Sequence, residues 1–321
     1  MAAELRSGKA NNGEDAGRAG LSYVRAAKSL SSTLPDLLVE ARRVAATVAA
    51  GWHGRRQAGP GETFWQFRPF SAGESITRID WRRSARDDHL YVREREWESA
   101  HTVWLWPDLS PSMEFRSRLA TVSKRDRAVV VTLALADLLA RAGERVGLPG
   151  ILKPTPSRQA AERAADAVVQ LAEKRALPDP TPIRRFSDVV LIGDFLDPLE
   201  TIEANAARIA GSGARGHLVQ VMDPAEETFP FAGRTEFRDP ETGERIVAGR
   251  AETWSEAYRE RLAVHRDGLR ALAARLGWTF MLHHTDRSAA EPLLALHARL
   301  GAGGGANIRA GGSLPTMEVA S

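Results

Sequence analysis

The stretch HTVWLWPDLSPSM, residues 101–113, decides the reading of the fold. An apolar run stops at Asp108 in the pattern Asp-x-Ser-x-Ser, and a helical pattern follows from Ser123 to Gly143. A buried strand that ends in polar residues and hands over to a helix opens a β-α-β unit. The rhythm then repeats. Apolar runs recur at Asp188–Ile192, His217–Met222 and Thr279–His283. Helical patterns recur at Ser157–Arg175, Pro198–Ala210, Ser255–Leu276 and Ala289–Leu300. Val146–Leu148 and Ile151–Leu152 flank Pro149-Gly150, which predicts a hairpin. Together these elements predict an α/β fold with a doubly wound, mainly parallel sheet, for which the strand order 3-2-1-4-5-6 is assumed.

Upstream of that stretch the texture differs. Residues 35–50 place Leu37, Leu38, Ala41, Val44, Ala45 and Val48 on one helical stripe. Residues 51–100 are rich in aromatics, Gly and Arg, and six of the eight tryptophans fall between positions 52 and 106. Short β-prone pieces broken by Gly and Pro predict a small β-rich unit there. The expected organisation is a disordered tail (1–20), an N-terminal helical segment (21–50), the β-rich unit (51–100), the α/β domain (101–300) and a disordered Gly-rich tail (301–321).

Composition narrows the function. The 321 residues are 43% hydrophobic and 26% charged, ordinary for a globular protein with a real core. Cysteine is absent, which excludes disulfides, thiol nucleophiles, zinc–cysteine sites and iron–sulfur clusters. The net charge of +3 gives no argument for nucleic acid. No apolar run approaches the roughly 20 residues that cross a bilayer, and the N-terminal residues lack a signal-peptide core. A cytoplasmic protein without a membrane span is the expectation.

Ligands of open α/β sheets bind beyond the carboxyl ends of the strands, where Asp108 falls. Asp108, Ser110 and Ser112 form a set of hard oxygens that suits Mg²⁺ or Mn²⁺. The run Val189–Gly193 ends in a second carboxylate, Asp194. With the strand order above, the strands before Asp108 and Asp194 are neighbours, and both carboxylates meet in one crevice. The competing reading is that Asp and Ser merely cap the following helix.

Specific motifs surround this core pattern. Asp108-x-Ser110-x-Ser112 resembles the metal-ion-dependent adhesion site of von Willebrand factor A domains. Gly51-Trp-His53, Gly59-Pro-Gly61-Glu-Thr-Phe64, Arg68-Pro-Phe70, Gly73-Glu74, Ile79-Asp80-Trp81-Arg-Arg-Ser84-Ala85-Arg86 and Leu90-Tyr-Val resemble the signature of the bacterial "domain of unknown function 58" family. Asp223-Pro-Ala-Glu226 and Asp239-Pro-Glu-Thr-Gly-Glu244 resemble later motifs of that family. The resemblance implies a von Willebrand factor A-like fold, a Mg²⁺ or Mn²⁺ site and partnership with a MoxR-type AAA+ ATPase. It also implies a further metal ligand, a threonine from a middle loop, for which Thr181 is the nearest match. An adhesion-type site binds an acidic side chain of a client protein and needs neither nucleophile nor base. The expected function is therefore non-enzymatic interaction in protein maturation or stress response.

Two other function classes compete with this one. A metal-dependent hydrolase at the same crevice requires a positioned base, which no motif supplies. A nucleic-acid module through residues 51–100 meets a nearly balanced charge there, nine arginines against eight acids. Within that segment Asp80, Arg82, Arg83 and Arg86 read either as an internal network or as a partner surface. Gly211-Ser-Gly213-Ala-Arg-Gly216 matches a dinucleotide fingerprint in letters, but it follows a helix and precedes a strand, the reverse of what that motif needs. His283-His284 sits at a strand end, where adjacent side chains face opposite ways and rarely share an ion.

Overall fold

A computed structural model of the chain describes residues 32–50, 64–71, 75–86, 89–95, 101–170 and 175–306. The proposed N-terminal tail, the motifs at 51–53, 59–63 and 73–74, and the stretch 307–321 lie outside the described residues. The chain divides into two compact units, residues 50–100 and the remainder. No helix of the described residues is long and apolar enough to cross a membrane.

The smaller unit contains an antiparallel pair, β1 (Phe64–Pro69) and β2 (Tyr91–Arg95), with a register shift between Phe64 and Gln66. Between them a single helical turn, α2 (Trp81–Ser84), is capped by Asp80, whose carboxylate accepts from Arg83 N–H at 2.9 Å. The buried Ser84 hydroxyl donates to Asp80 O and accepts from Tyr91 N–H, both at 2.9 Å. Asp80 therefore serves as a cap, and Arg83 stacks over Tyr91 at 4.6 Å. Arg82 and Arg86 are exposed, beside an exposed Trp81.

The larger unit is a six-stranded sheet made of β3 (Thr102–Pro107), β4 (Arg145–Leu148), β5 (Leu152–Thr155), β6 (Ser187–Gly193), β7 (Arg215–Met222) and β10 (Thr279–His284). Its order is β10-β7-β6-β3-β4-β5, parallel except for the β4–β5 hairpin. In chain order this is the 3-2-1-4-5-6 arrangement, so the winding direction reverses between β3 and β6. A second small hairpin, β8 (Thr235–Arg238) and β9 (Arg245–Ala248), follows β7 and a short helix, α6 (Pro224–Thr228).

Alternation along the central strands feeds two cores. Val103 and Leu105 of β3, with Val190 and Ile192 of β6, pack under α3 (Lys124–Arg141), α4 (Ala160–Val169) and α8 (Ala290–Ala306). Trp104 and Trp106, with Val189 and Leu191, face α5 (Leu199–Gly211) and α7 (Ser255–Arg275). Helix α1, residues 32–50, buries Leu37, Ala41, Val44, Ala45 and Val48 in the first core, so the N-terminal segment is part of the larger unit. Helix α3 is buried on nearly every face, and its Thr132 hydroxyl is satisfied within the helix by Ala128 O at 2.8 Å.

Two boundaries moved. Helix α4 is shorter than the 157–175 pattern, and α8 runs past Leu300 to Ala306. Extending a formed helix fixes one residue per hydrogen bond, which is far easier than nucleating one. The 211–216 glycines end α5 and start β7. Gly213 adopts φ +83 after the helix, and Gly216 lies against the face of Trp278. A Cβ at Gly216 would stand 2.0 Å from the indole ring. Gly216→Ala is expected to lower the unfolding free energy by about 3 kcal/mol, the upper part of the overpacking range. The urea midpoint followed by tryptophan fluorescence checks this.

Candidate functional site

Beyond the carboxyl end of β3, Asp108 N–H donates to Ile192 O at 2.7 Å, extending the parallel ladder by one residue. That bond sets Asp108 beside Gly193 and Asp194. A Cβ at Gly193 would lie 2.8 Å from Asp108 Cβ and 2.9 Å from its Oδ2, so glycine is what admits the carboxylate. Asp108 Oδ1 accepts Ser110 N–H at 2.8 Å, a tight turn of the kind Asp favours. The hydroxyls of Ser110 and Ser112 are 3.1 Å apart, and Ser112 Oγ donates to Asp194 Oδ2 at 2.7 Å. Four of the residues singled out from sequence thus form one connected cluster, and Asp108, Ser110 and Asp194 are buried.

Asp194 is held from three sides. Its Oδ1 accepts Leu196 N–H, and its carbonyl accepts from Gln220 Nε2 at 3.0 Å. The next residue, Phe195, adopts a left-handed φ of +51, and its carbonyl accepts from His265 Nε2 at 2.6 Å. A buried non-glycine residue in this region is strained by roughly 1–3 kcal/mol and persists only where its surroundings dictate it.

The sequence reading did not anticipate Lys124, the first residue of α3. Its ammonium is 1% exposed and bridges Asp194 Oδ2 at 2.9 Å and Glu226 Oε1 at 2.5 Å. A cation at a helix N-terminus opposes the helix dipole, so these two carboxylates carry it there. Glu226 lies in the first turn of α6, where its other oxygen accepts Asp223 N–H at 2.8 Å in a capping box. Asp223 follows β7 as Asp108 and Asp194 follow β3 and β6. Its carboxylate accepts from Ala225 N–H and from Ser117 N–H, tying down the loop after the serines. A further carboxylate arrives from the β8–β9 turn, where Glu241 Oε1 accepts Ser112 N–H at 2.9 Å. The signals for Glu226 and Glu241 were the two Asp-Pro motifs, 223–226 and 239–244, whose spatial target a linear pattern does not record.

Thr181 shares no hydrogen bond with this cluster among the described residues. It is exposed, and its hydroxyl donates to Asp179 Oδ1 at 2.6 Å in a local turn. His283 is buried, and burial together with Arg127 holds its ring down to about 3. His284 instead pairs with Glu227, so the two rings do separate.

The electrostatics are those of a crevice with excess negative charge. Burial and then the charge of Asp194 push Asp108 up to about 7, against the hydrogen bonds from Ser110. No ion pair reaches Asp108 among the described residues. Burial alone would lower Lys124, but Asp194 and Glu226 more than offset it and raise its pKa. Glu226 is itself raised, because burial outweighs its ammonium partner. Asp197 is raised by burial and by Asp194. Among the described residues no group of three or more His, Cys, Asp or Glu is spaced to hold a metal on its own. The converging donors here are two carboxylates and two hydroxyls.

A doubly wound α/β domain with an acid–hydroxyl cluster at its topological switch point is the class of protein that fold and site define. Residues 66–268 match the family described as "Protein of unknown function DUF58", and the chain belongs to that family. Uncharacterised proteins of Mycobacterium bovis and Mycobacterium tuberculosis are 26% identical over 231 residues, which cover 67% of this chain and 72% of each relative. Two solved structures resemble parts of it. An aerotolerance-related membrane protein from Bacteroides fragilis matches at 16% identity, over 63% of this chain and 100% of that one, with a TM-score of 0.38. The conserved hypothetical protein BatB from Bacteroides thetaiotaomicron matches at 15% identity, over 64% and 100%, with a TM-score of 0.32.

Two expectations follow from the buried charges. Lys124→Met leaves Asp194 and Glu226 without their cation and should destabilise the fold by about 3–5 kcal/mol in chemical denaturation. The Asp108 carboxyl keeps its proton in the folded state to a higher pH than in the unfolded chain. With chelator present, stability should therefore fall as pH rises from about 4 to about 7, by up to about 4 kcal/mol, and level off above that. In Asp108→Asn this fall should be smaller, leaving the part due to Glu226 and Asp197, which denaturation curves across the same pH range would show.

Proposed function

We propose that the crevice is an adhesion-type divalent-cation site through which the protein binds an acidic side chain of a client, without catalysis. Asp108, Ser110, Ser112 and Asp194 would hold Mg²⁺ or Mn²⁺. The observation that carries this reading is the meeting of those four side chains with no cation paired to Asp108 among the described residues. The donor set fits: every ligand is a hard oxygen, as these ions require. The mutual repulsion of Asp108 and Asp194 favours a cation between the strand ends. Lys124 supplies only one positive charge, and it is shared between Asp194 and Glu226. Thr181, engaged by Asp179, is left out of the proposed set.

When bound, the ion supplies an electrophilic position at which a carboxylate from another protein is held. The chain's own part is positional. The β3 and β6 ends orient the carboxylates, the Asp108–Ser110 turn aims the hydroxyls, and the Lys124 ammonium anchors Asp194 through its Oδ2. The serine hydroxyls are engaged with each other and with Asp194 rather than with a histidine, which favours a binding role over a nucleophilic one. Family resemblance points to a MoxR-type AAA+ ATPase as the machine that acts with this site on the client.

Metal titration followed by thermal and chemical denaturation tests the reading. At a Mg²⁺ or Mn²⁺ concentration about 100 times its Kd, the wild type should gain about 2.7 kcal/mol of unfolding free energy, and Asp108→Ala should gain none. An equal response from both proteins places the metal elsewhere. A pull-down from the native host, with metal or chelator, should then capture the ATPase or client only with metal and intact Asp108.

A further inference from the structure

We propose that Glu241 is the resident occupant of the seat that a partner's carboxylate takes, so that a client binds this site by displacing the β8–β9 hairpin. The inference rests on the adhesion-site reading for the nature of the incoming group, and on separate geometry for the occupant. Glu241 is 129 residues distant from Ser112 in the chain, yet its carboxylate lies on the Ser112 N–H at 2.9 Å. Ser112 Oγ is simultaneously bound to Asp194. The glutamate therefore stands on the backbone N–H of the same residue whose hydroxyl reaches inward to the buried Asp194.

The turn is shaped to present it. Asp239 Oδ1 accepts Glu241 N–H and Asp239 Oδ2 accepts the Thr242 hydroxyl, both at 2.8 Å. Asp239 N–H donates to Glu244 O, Gly243 N–H donates to Asp239 O, and Gly243 takes the left-handed φ of +77 that closes the turn. A side chain carried on such a preformed turn loses little conformational freedom on docking. What surrounds it is not attractive. Asp194, Asp197 and Asp239 are its charged neighbours, so a backbone N–H holds an anion in an anionic setting. That is the position of a group recruited as a carboxylate ligand rather than of a structural ion pair.

The hairpin is also built to leave. Its strands are four residues each, and Ile246 and Val247 are more than half exposed. It is anchored at one end by aromatic contacts. Phe237 stacks on Phe229 at 5.7 Å and on Trp254 at 5.9 Å, and meets Phe231 edge-on at 5.3 Å. Releasing the Glu241 contact leaves the Phe237 anchor in place, so only the exposed turn 239–244 beyond it has to move for the seat to open. The partner chemistry this fits is a glutamate or aspartate on an exposed turn of another protein, a second carboxylate of the same kind competing for one seat.

The test uses the full chain, wild type and Glu241→Ala, and a labelled peptide copying residues 237–246. Glu241 is exposed, so its removal does not threaten the core. With Mn²⁺ present, the peptide should bind Glu241→Ala about tenfold or more tightly than wild type, because the tethered glutamate competes at millimolar effective concentration. A peptide with Gln in place of that Glu should bind neither. Hydrogen exchange without added metal should show faster uptake over residues 109–116 in Glu241→Ala, with the peptide restoring protection. Equal peptide affinity for the two proteins, or unchanged exchange over 109–116, overturns the proposal. Mn²⁺ binding by wild type and Asp108→Ala is measured in parallel. Loss of the Asp108 dependence sinks the cation reading alone, and the exchange result still decides whether Glu241 is the occupant.

Discussion

Burying like charges side by side is the constraint around which this protein is arranged. Parallel pairing of β3 with β6 carries Asp108 and Asp194 to neighbouring strand ends in a place from which water is largely excluded. In such a setting an uncompensated carboxylate is expensive, and two are worse. The fold answers with one buried ammonium. Lys124 has to stand at the start of α3, α6 has to turn Glu226 inward, and position 193 has to lack a side chain. Each of these features makes sense only as part of accommodating the two aspartates.

The opposite end of the same sheet shows what a fully satisfied buried aspartate looks like. Asp188 is 0% exposed, yet Arg215 grips it through two bonds of 2.8 and 3.0 Å, with His101 and His217 nearby. Burial would raise its pKa, but His217 first, then the charges of His101 and Arg215, outweigh burial and hold it below the ordinary range. Asp108 is buried to a similar degree and is pushed the other way. Asp188 is answered by a bidentate guanidinium, whereas Asp108 is answered by Ser110 and by no cation among the described residues. The contrast separates a buried aspartate whose charge is fully paired from one whose charge is not.

Rigid and loose parts are divided accordingly. The strand ends, the strained Phe195 and the Lys124 bridge hold the oxygens in place through buried, short-range contacts. The β8–β9 hairpin next to them has short strands, exposed apolar side chains and an aromatic root at one end. Local stability follows such differences in burial, and segments that move on binding come from the weakly buried end of that range. A fixed cluster beside a detachable acidic arm is a physical basis for exchange of one carboxylate for another.

Much of this was legible in the order of residues. Apolar runs and the Pro149-Gly150 turn located every central strand, and the 3.6-residue pattern located the long helices between them, because that period follows directly from backbone geometry. Assuming the 3-2-1-4-5-6 order then brought Asp108 and Asp194 together, and the sheet has that order, with its switch point between β3 and β6. The Asp-x-Ser-x-Ser turn is local, so its shape could be read as well. Lys124, Glu226 and Glu241 were different. Their contacts span 70, 102 and 129 residues and join the start of one helix, the first turn of another and the tip of a hairpin. No periodicity connects such positions. Local backbone preferences settled the elements and their sequence in the sheet, whereas the charges that complete the site were decided only by where the loops return once the two cores have packed.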